Sequence, residues 1–505
     1  MALPDDVLAV VFLRLAPRSL AASRCVCKAW RDVIDARRLL RADLLPHSVR
    51  GIFLEYQLLD DQVFLAHPSM GPAIDGKLDF LLDPAQSGFA MVLDQCNGLV
   101  LYRDHSGLLV LNPATQRWAR LPPPPCTEFV LGLVVEFMLD RIARIVFDPA
   151  ESPHYEVFLV PDNPDREEKV IRCRQAGNTS SVSIISGQTP LQQLISSTAE
   201  DTGEPDDSVP VDRLMEWPAS TCIFRVFSSR TGRWGERVFA REGEAAGIAD
   251  MTSREYDSSW KGYAVYWRDA LYVLCNEGEF IMRISLSNDK YRVIKMPSIV
   301  DRGDYTDFYL GKSEKGLSCA SFHGRYDLFV WVLDESCDQT EWALRHQINM
   351  EPILCVLDNA EQTEGPWILL DGKNNEDDNP ALQEKKFEWD SDNDDVFQVD
   401  SEAGQRHHGY MTVLGFHPYK DVVFLNVTTL RAVVYHLNGL IVQDLGNLYP
   451  KDYDDVAGMF PAVLRSFPYT PCLTEFPENN LECHDKDEYR FQAVDETNRP
   501  ERTDH

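Results

Sequence analysis

The sequence has no Cys-x-x-Cys pair; its twelve cysteines are scattered at 25, 27, 96, 126, 173, 222, 275, 319, 337, 355, 472 and 483. That spacing gives little support to a zinc site or a thioredoxin-like motif, and the density is too low for a secreted disulfide framework. Nothing approaches the roughly 18 apolar residues of a membrane span; the stretch LGLVVEFML is broken by Glu136. Positive charge is scarce: 49 Lys+Arg face 80 Asp+Glu, a formal net charge of −31, which opposes binding to nucleic acid or an anionic membrane. There is no Gly-x-Ser-x-Gly, His-Glu-x-x-His or phosphate loop. The opening MALPDDVLAVVFLRLAP carries Asp5 and Asp6 where a signal peptide needs positive charge, and Arg14 interrupts it. Asn178 and Asn426 fit the glycosylation pattern but read as coincidence without such a signal. The expectation is a cytoplasmic or nuclear protein with free thiols.

What is present is unevenly distributed. The 505 residues are ample to bury a core, and length alone suggests about three domains. Residues 1–50 hold nine Lys/Arg and five Asp/Glu, a local +4, which leaves −35 for residues 51–505. Within that N-terminal segment Pro4, Asp5 and Asp6 open a helix. Val7, Leu8, Val11, Phe12 and Leu15 then follow at helical spacing as one apolar stripe, and Pro17 ends it. Leu20, Ser23, Arg24 and Cys27 resume the period, and Trp30, Val33 and Ile34 make a third apolar face. Three such short helices cannot bury all their apolar surface against one another. They dock on the rest of the chain or on a partner.

LPDDVLAVVFLRLAPRSLAASRCVCKAWRDVI resembles the F-box motif. Leu3-Pro4, Leu8, Arg14-Leu15, Pro17, Ser19-Leu20, Val26-Cys27-Lys28 and Trp30-Arg31 stand at that family's spacing, with Ala16 where a second proline is often found. The resemblance implies a three-helix module, residues 1–45, that docks on a Skp-type adaptor and through it on a cullin. It also implies adaptor contact from Leu3, Pro4, Leu8, Leu15, Leu20, Val26 and Trp30.

After residue 50 the period becomes alternating. LVLNPATQRWARLP and FRVFSSRTGRWGERV place Trp118 and Trp234 in the same relation to a polar turn. Looser copies surround Tyr291, Trp342 and Ala432. Each copy reads as a hairpin whose aromatic packs on neighbouring hairpins. Two of the intervals, 291 from 234 and 342 from 291, approach the period of propeller blades. The interval from 118 to 234 has room for a weak extra copy, VFDPAESPHYEVFLV, and a loop at about 161–219; that from 342 to 432 has room for one blade and the acidic stretch 371–402. The expected fold is mainly β: the helical module followed by a β-propeller-like domain of six to eight blades over residues 46–470.

Kelch and WD-repeat versions are disfavoured, since there is no Gly-Gly pair and Trp-Asp occurs once, at 389–390. Instead, CNGLVLYRDHSGLLVLNPATQRWARLP, SPHYEVFLV, YWRDALYVL, YLGKSEKGLSCASF, VWVLDES and GFHPYKDVVFL resemble the F-box-associated region of plant, especially grass, F-box proteins. Residues 371–402 (twelve Asp/Glu, three Lys) and the tail 471–505 read as solvated acidic segments.

No catalytic constellation emerges. His407-His408 read as loop residues, and His323, His417 and His436 as packed or turn histidines. The SSRTGRWG turn (228–235) resembles the sialidase propeller turn but has Arg230 in place of its Asp and lacks the Thr before Trp. A central pocket grouping two carboxylates with a tyrosine or several arginines would be the mark of glycoside chemistry. The resemblance implies a non-catalytic substrate-recognition subunit of a Skp–cullin–F-box (SCF) ubiquitin ligase, with no cofactor or metal, taking an unidentified protein substrate on the propeller. The alternative is an F-box scaffold or decoy acting outside ubiquitination.

Overall fold

A computed structural model describes residues 4–12, 23, 26–37, 39, 48–56, 59, 63–68, 74–81, 90–124, 143–160, 214–250, 262–275, 279–297, 307–335, 340–354, 365–370, 396–398, 411–427, 430–439, 441–450, 453 and 463–473. Helices Asp5–Phe12 and Lys28–Ala36 form the N-terminal part. Leu8, Ala9 and Phe12 of the first pack on Val33 and Ile34 of the second and on Leu39. The ring of Trp30 meets that of Phe12 edge-on at 5.2 Å. The first helix starts where the Pro4 carbonyl accepts from the amides of Val7 and Leu8, both at 3.0 Å. The middle helix expected over Leu20–Cys27 lies almost wholly outside the described residues.

Among the described residues the main strands group into six four-stranded antiparallel units, two of them joined into one eight-stranded sheet and one extended by a fifth strand, beside a separate two-stranded pair. Unit II is Met91–Cys96, Leu99–Asp104, Gly107–Asn112 and Arg117–Arg120. Unit III is Ala143–Phe147, Tyr155–Leu159, Thr221–Ser228 and Arg233–Glu242; unit IV is Ala264–Trp267, Ala270–Cys275, Phe280–Ser285 and Lys290–Lys295. Unit V is Tyr309–Ser313, Gly316–His323, Asp327–Asp334 and Glu341–Asn349. Unit VI is Met411–Phe416, Val422–Val427, Arg431–His436 and Ile441–Asn447. Unit I is assembled from distant parts of the chain: Val463–Tyr469, Gly51–Tyr56, Val63–Ala66 and Ile368–Leu370, in that order. The leading strands touch in the cycle I–II–III–IV–V–VI–I, so the six units stand around one axis.

This arrangement follows from the strand sequences. A strand with neighbours on both faces must be apolar at odd and even positions alike, as LVLY, ALYVLC and VVFLNV are. In unit II, Val100 and Tyr102 join Phe53 and Phe64 of unit I, whereas Leu99 and Leu101 join Ile145 and Val157 of unit III. In unit IV, Leu271 and Val273 pack with Phe224 and Phe239 of unit III, while Tyr272 and Leu274 face the other way with Leu317 of unit V. Exposure is greatest on the outer strands, as in Arg233–Glu242 and Glu341–Asn349, and the third strand of unit III, Thr221–Ser228, begins with alternating exposed and buried residues. The aromatic markers sit on these outer strands, and two of them tie their unit to its predecessor. Trp234 Nε1 of unit III donates to the Pro122 carbonyl at the end of unit II (2.7 Å), and the Tyr291 hydroxyl of unit IV donates to the carbonyl of Ala219.

Six units lie at the lower end of the expected range, for two reasons. VFDPAESPHYEVFLV is no extra copy; it supplies the two inner strands of unit III, whose outer hairpin resumes at Thr221. Among the described residues the interval from 342 to 432 holds no complete unit, and Ala432 lies on the third strand of its unit, whereas the other four markers lie on the fourth. Of the two expected loops, residues 161–213 and most of 371–402 lie outside the described residues. Their ends are ordered: Leu214–Trp217 pairs with Gly247–Asp250, and Val396–Gln398 adds a fifth strand to unit VI. The ring also runs past residue 470. Cys472 is buried, and its carbonyl accepts from Asn112 Nδ2 at 3.0 Å; residues 474–505 lie outside the described residues.

Specific polar ties hold several seams, three of which bear on closure and on the axis. At I, Gly51–Tyr56 pairs along its length with Val463–Tyr469, the Arg50 amide donates to the Tyr469 carbonyl (2.8 Å), and Arg465 Nε meets Glu55 Oε2 at 2.5 Å. The Asn97-Gly98 turn, with φ of 47° and 89°, is pressed against this closure: a Cβ on Gly98 would stand 2.4 Å from that of Cys472. Between III and IV, Ala240–Glu242 pairs in parallel with Lys290–Arg292, joining the two units into one eight-stranded sheet. Between II and III, the buried Asp94 carboxylate accepts from the amides of Gln95 and Ile145, both at 2.9 Å.

Tyr469 is fully buried against Phe53 and Phe64, and its hydroxyl donates to the Gly98 carbonyl (3.3 Å). Truncation to Ala should cost about 3–5 kcal/mol in urea unfolding, as for other buried aromatic residues; a loss below about 1 kcal/mol would show that closure does not hold the ring. Burial pushes the Asp94 carboxyl up to about 7, against the pull of Arg144, the two amides and Arg465. The folded chain thus keeps a proton that the unfolded chain releases near pH 4, and stability falls as pH rises from about 4 to about 7. Asp94→Asn should remove this part of the fall, by up to a few kcal/mol, when unfolding midpoints are compared at pH 5 and pH 8. Parallel wild-type and variant profiles would refute the assignment.

Candidate functional site

The first helix has no polar face after its first turn, because residues 7–12 read VLAVVF. Leu8, Ala9 and Phe12 are used by the helical core, and the remaining apolar side chains face outward. Val7, Val10 and Val11 are 45%, 50% and 46% exposed, three neighbours on one side of the helix by their spacing. The single stripe expected from Val7, Leu8, Val11, Phe12 and Leu15 is therefore two stripes back to back. Val10 was missed, although six consecutive apolar residues are a signal that the helix has a partner on each side.

Of the residues implied as adaptor contacts, Pro4 is exposed and Val26 is 62% exposed. Leu8 is buried in the helical core, where it supports the outward stripe rather than belonging to it. Trp30 is half-buried, with its edge contact to Phe12 inside and the rest of the side chain reaching the surface. Leu3, Leu15 and Leu20 lie outside the described residues.

The ring presents a second concave feature. At one end of its axis lies a cavity of about 350 Å³, lined by residues of all six units at or near their leading strands. It groups Asp94 and Asp148 with tyrosines 263, 266, 309 and 419, the residue types named above as the mark of glycoside chemistry, but no arginine. Their chemistry is engaged elsewhere. Asp94 holds two main-chain amides, and Asp148 caps a turn by accepting from the Ala150 amide at 2.9 Å. The Cys96 thiol donates to the Phe147 carbonyl (3.2 Å), and burial pushes that thiol well up. Burial, with Asp148 and Asp269 nearby, raises the Tyr266 phenol to about 12. The set offers neither a free carboxylate pair nor an activated nucleophile.

Elsewhere, the singled-out residues serve the fold. Gly232 at φ 66° closes the SSRTGRWG turn, its amide donating to the Ser228 carbonyl at 2.9 Å. His417 Nδ1 accepts from the Tyr419 amide (3.1 Å), His436 Nε2 pairs with Gln443 Oε1 (3.0 Å), and His323 meets Phe329 edge-on. His407 and His408 lie outside the described residues. Among the described residues no three His, Cys, Asp or Glu side chains converge as metal ligands, and no helix is long and apolar enough to cross a membrane.

Residues 1–42 match the F-box domain family. Similar proteins of Arabidopsis thaliana include the putative F-box protein At3g16210, 29% identical over 127 residues, which are 24% of this chain and 33% of that protein. F-box protein At5g18160 is 24% identical over 132 residues (26% and 35%). The F-box/kelch-repeat protein At3g61590 is 30% identical over 128 residues (24% and 30%). The chain thus spans about a third of the length of the curated relatives it matches. F-box proteins in general are non-catalytic adaptors of SCF ligases. The chain carries an F-box domain at its N-terminus, and the relatives it is similar to over about a quarter of its length are plant F-box proteins.

Proposed function

We propose that the chain is the substrate-recognition subunit of an SCF ubiquitin ligase, with residues 1–45 binding a Skp-type adaptor and the ring, a six-bladed propeller over about 46–473, holding a protein substrate. One observation carries the first half: Val7, Val10 and Val11 stand exposed on a helix whose opposite stripe is already packed. Covering the exposed half of each such side chain is worth about 1 kcal/mol. Val26 is exposed and Trp30 half-buried on the same helical module, and Pro4 sits at the start of the helix.

The mechanism is tethering. The receptor contributes no reacting group; it raises the effective concentration of a substrate lysine beside a ubiquitin-charged conjugating enzyme. The engaged carboxylates of the axial cavity support the non-catalytic reading. The net charge of −35 outside residues 1–50 favours a protein substrate over nucleic acid or an anionic membrane. The cytoplasm and the nucleus are where this machinery would place the chain.

The test is co-purification with a Skp-type adaptor and a cullin. Val7→Asp/Val11→Asp should weaken adaptor binding roughly a hundredfold or more, since two buried valines are replaced by charges. The ring should unfold with an unchanged midpoint. Wild-type chain that brings down no adaptor would sink the proposal, and adaptor without cullin would favour the scaffold or decoy reading.

A further inference from the structure

Away from the axis, the outer hairpin of unit IV sets positive charges directly opposite one another. Arg283 of Phe280–Ser285 faces Arg292 of Lys290–Lys295 across the strand pair. The same transverse row continues to Tyr272 on one side and, through the parallel seam, to Glu242 of unit III on the other. The next row on that face pairs Ser285 with Lys290. Like charges directly opposite destabilise a sheet, so the pair needs a reason. Arg283, Lys290, Arg292 and Glu242 line a cleft of about 430 Å³, with Glu335 and Thr340 of unit V on its wall. The two glutamates stand at strand ends, and the volume is within the range of ligand sites.

Both carboxylates are engaged by the cations of the cleft itself. Glu242 takes Lys290 Nζ on one oxygen (2.5 Å) and Arg292 Nε on the other (2.9 Å), bonds that hold its carboxyl below the usual range. Glu335 Oε1 accepts from Arg283 Nε at 2.9 Å and from the Tyr272 hydroxyl at 2.8 Å. Each arginine is thus anchored through Nε. The four terminal nitrogens of the two guanidinium groups have no hydrogen-bond partner among the described residues. Arg283 is no loose surface side chain: it is 28% exposed, and its guanidinium lies 5.7 Å from the centre of the Tyr272 ring. Asn288 adds a donor, since its Oδ1 already accepts from the Lys290 amide at 3.1 Å. Three cations against two paired carboxylates leave one positive charge over, although residues 51–505 carry −35.

What the cleft has in excess is therefore N–H donors on two adjacent guanidinium groups. A carboxylate is saturated by one guanidinium fork through its two oxygens. Two forks side by side call for a third oxygen, which a phosphate monoester has. We infer that the cleft between units IV and V is a phosphate-binding site, in which Arg283 and Arg292 hold the terminal oxygens of a phosphate group. That group is carried on a phosphorylated protein side chain or is free in solution; the net charge of the chain opposes the phosphodiesters of nucleic acid. The inference concerns the ring and makes no use of the reading of the helices.

The probes are N-acetyl-O-phosphoserine N-methylamide, the corresponding serine and aspartate compounds, and inorganic phosphate, each titrated against the full chain at about pH 7.5, where the phosphate is a dianion. Phosphorus NMR line broadening reads the two phosphates, and saturation transfer to the acetyl methyl group compares the three acetylated probes. The phosphoserine probe should bind at least about tenfold more tightly than the serine and aspartate probes, the effect of one further hydrogen bond between charged groups. Inorganic phosphate binding equally well identifies a free phosphate as sufficient; weaker binding identifies a side chain as the carrier. Arg292→Gln and Arg283→Gln should each weaken the phosphoserine probe about tenfold or more. Arg292→Lys, which keeps the charge and loses the fork, should fall between wild type and Arg292→Gln. A phosphoserine probe no tighter than the aspartate probe, no binding of either phosphate up to about 10 mM, or undiminished binding in both glutamine variants would each overturn the inference. The wild-type comparison needs no variant to fold, and adaptor co-purification tests the helices whatever its result.

Discussion

Everything in the ring depends on one antiparallel pair: Gly51–Tyr56 against Val463–Tyr469. Each unit is buried on both faces only when it has two neighbours, and a ring gives every unit two neighbours only when it closes. The closing strand reaches across the chain, and the fixing contacts lie on it or just past its end: Arg465 with Glu55, Tyr469 with Gly98, and Cys472 with Asn112. Without this strand unit I would lose its innermost member. The apolar faces of units II and VI, which pack on it, would then meet water.

The same constraint sets where the structure can carry function. Inner strands are apolar on both faces and have no freedom to vary, so recognition falls to the ends of the strands and to the axis. The helical pair obeys the opposite logic. It is too small to satisfy a helix that is apolar all round, and its surplus stripe of valines is left at the surface. One part of the chain buries its apolar faces by closing on itself; the other leaves an apolar stripe exposed.

Much of this was legible in the residues. The F-box spacing located the helical pair, and the aromatic after each polar turn located outer strands, because Trp118, Trp234, Tyr291 and Trp342 all lie on them. The unit count was less legible, since a local repeat cannot register that one unit draws strands from residues 51–66, 368–370 and 463–469. Nor can it register that residues 143–159 and 221–242 are halves of one sheet. At the candidate site, spacing grouped Val7 and Val11 with Leu8 and Phe12; which stripe faces the core depends on Val33 and Ile34, whose docking no local pattern encodes. The axial cavity was illegible because its lining comes from six strands brought together only by closure.

The split origin of unit I has a consequence for the order of biosynthesis. The helical module and strands Gly51–Tyr56 and Val63–Ala66 leave the ribosome about 400 residues before Val463–Tyr469 does. At roughly 5–20 residues per second this is an interval of about 20–80 s. During that time the apolar first strands have unpaired edges, the condition that invites association with other chains. The exposed valine stripe is therefore synthesised long before the ring can close, and a partner that covers the valines early would accompany an unfinished ring.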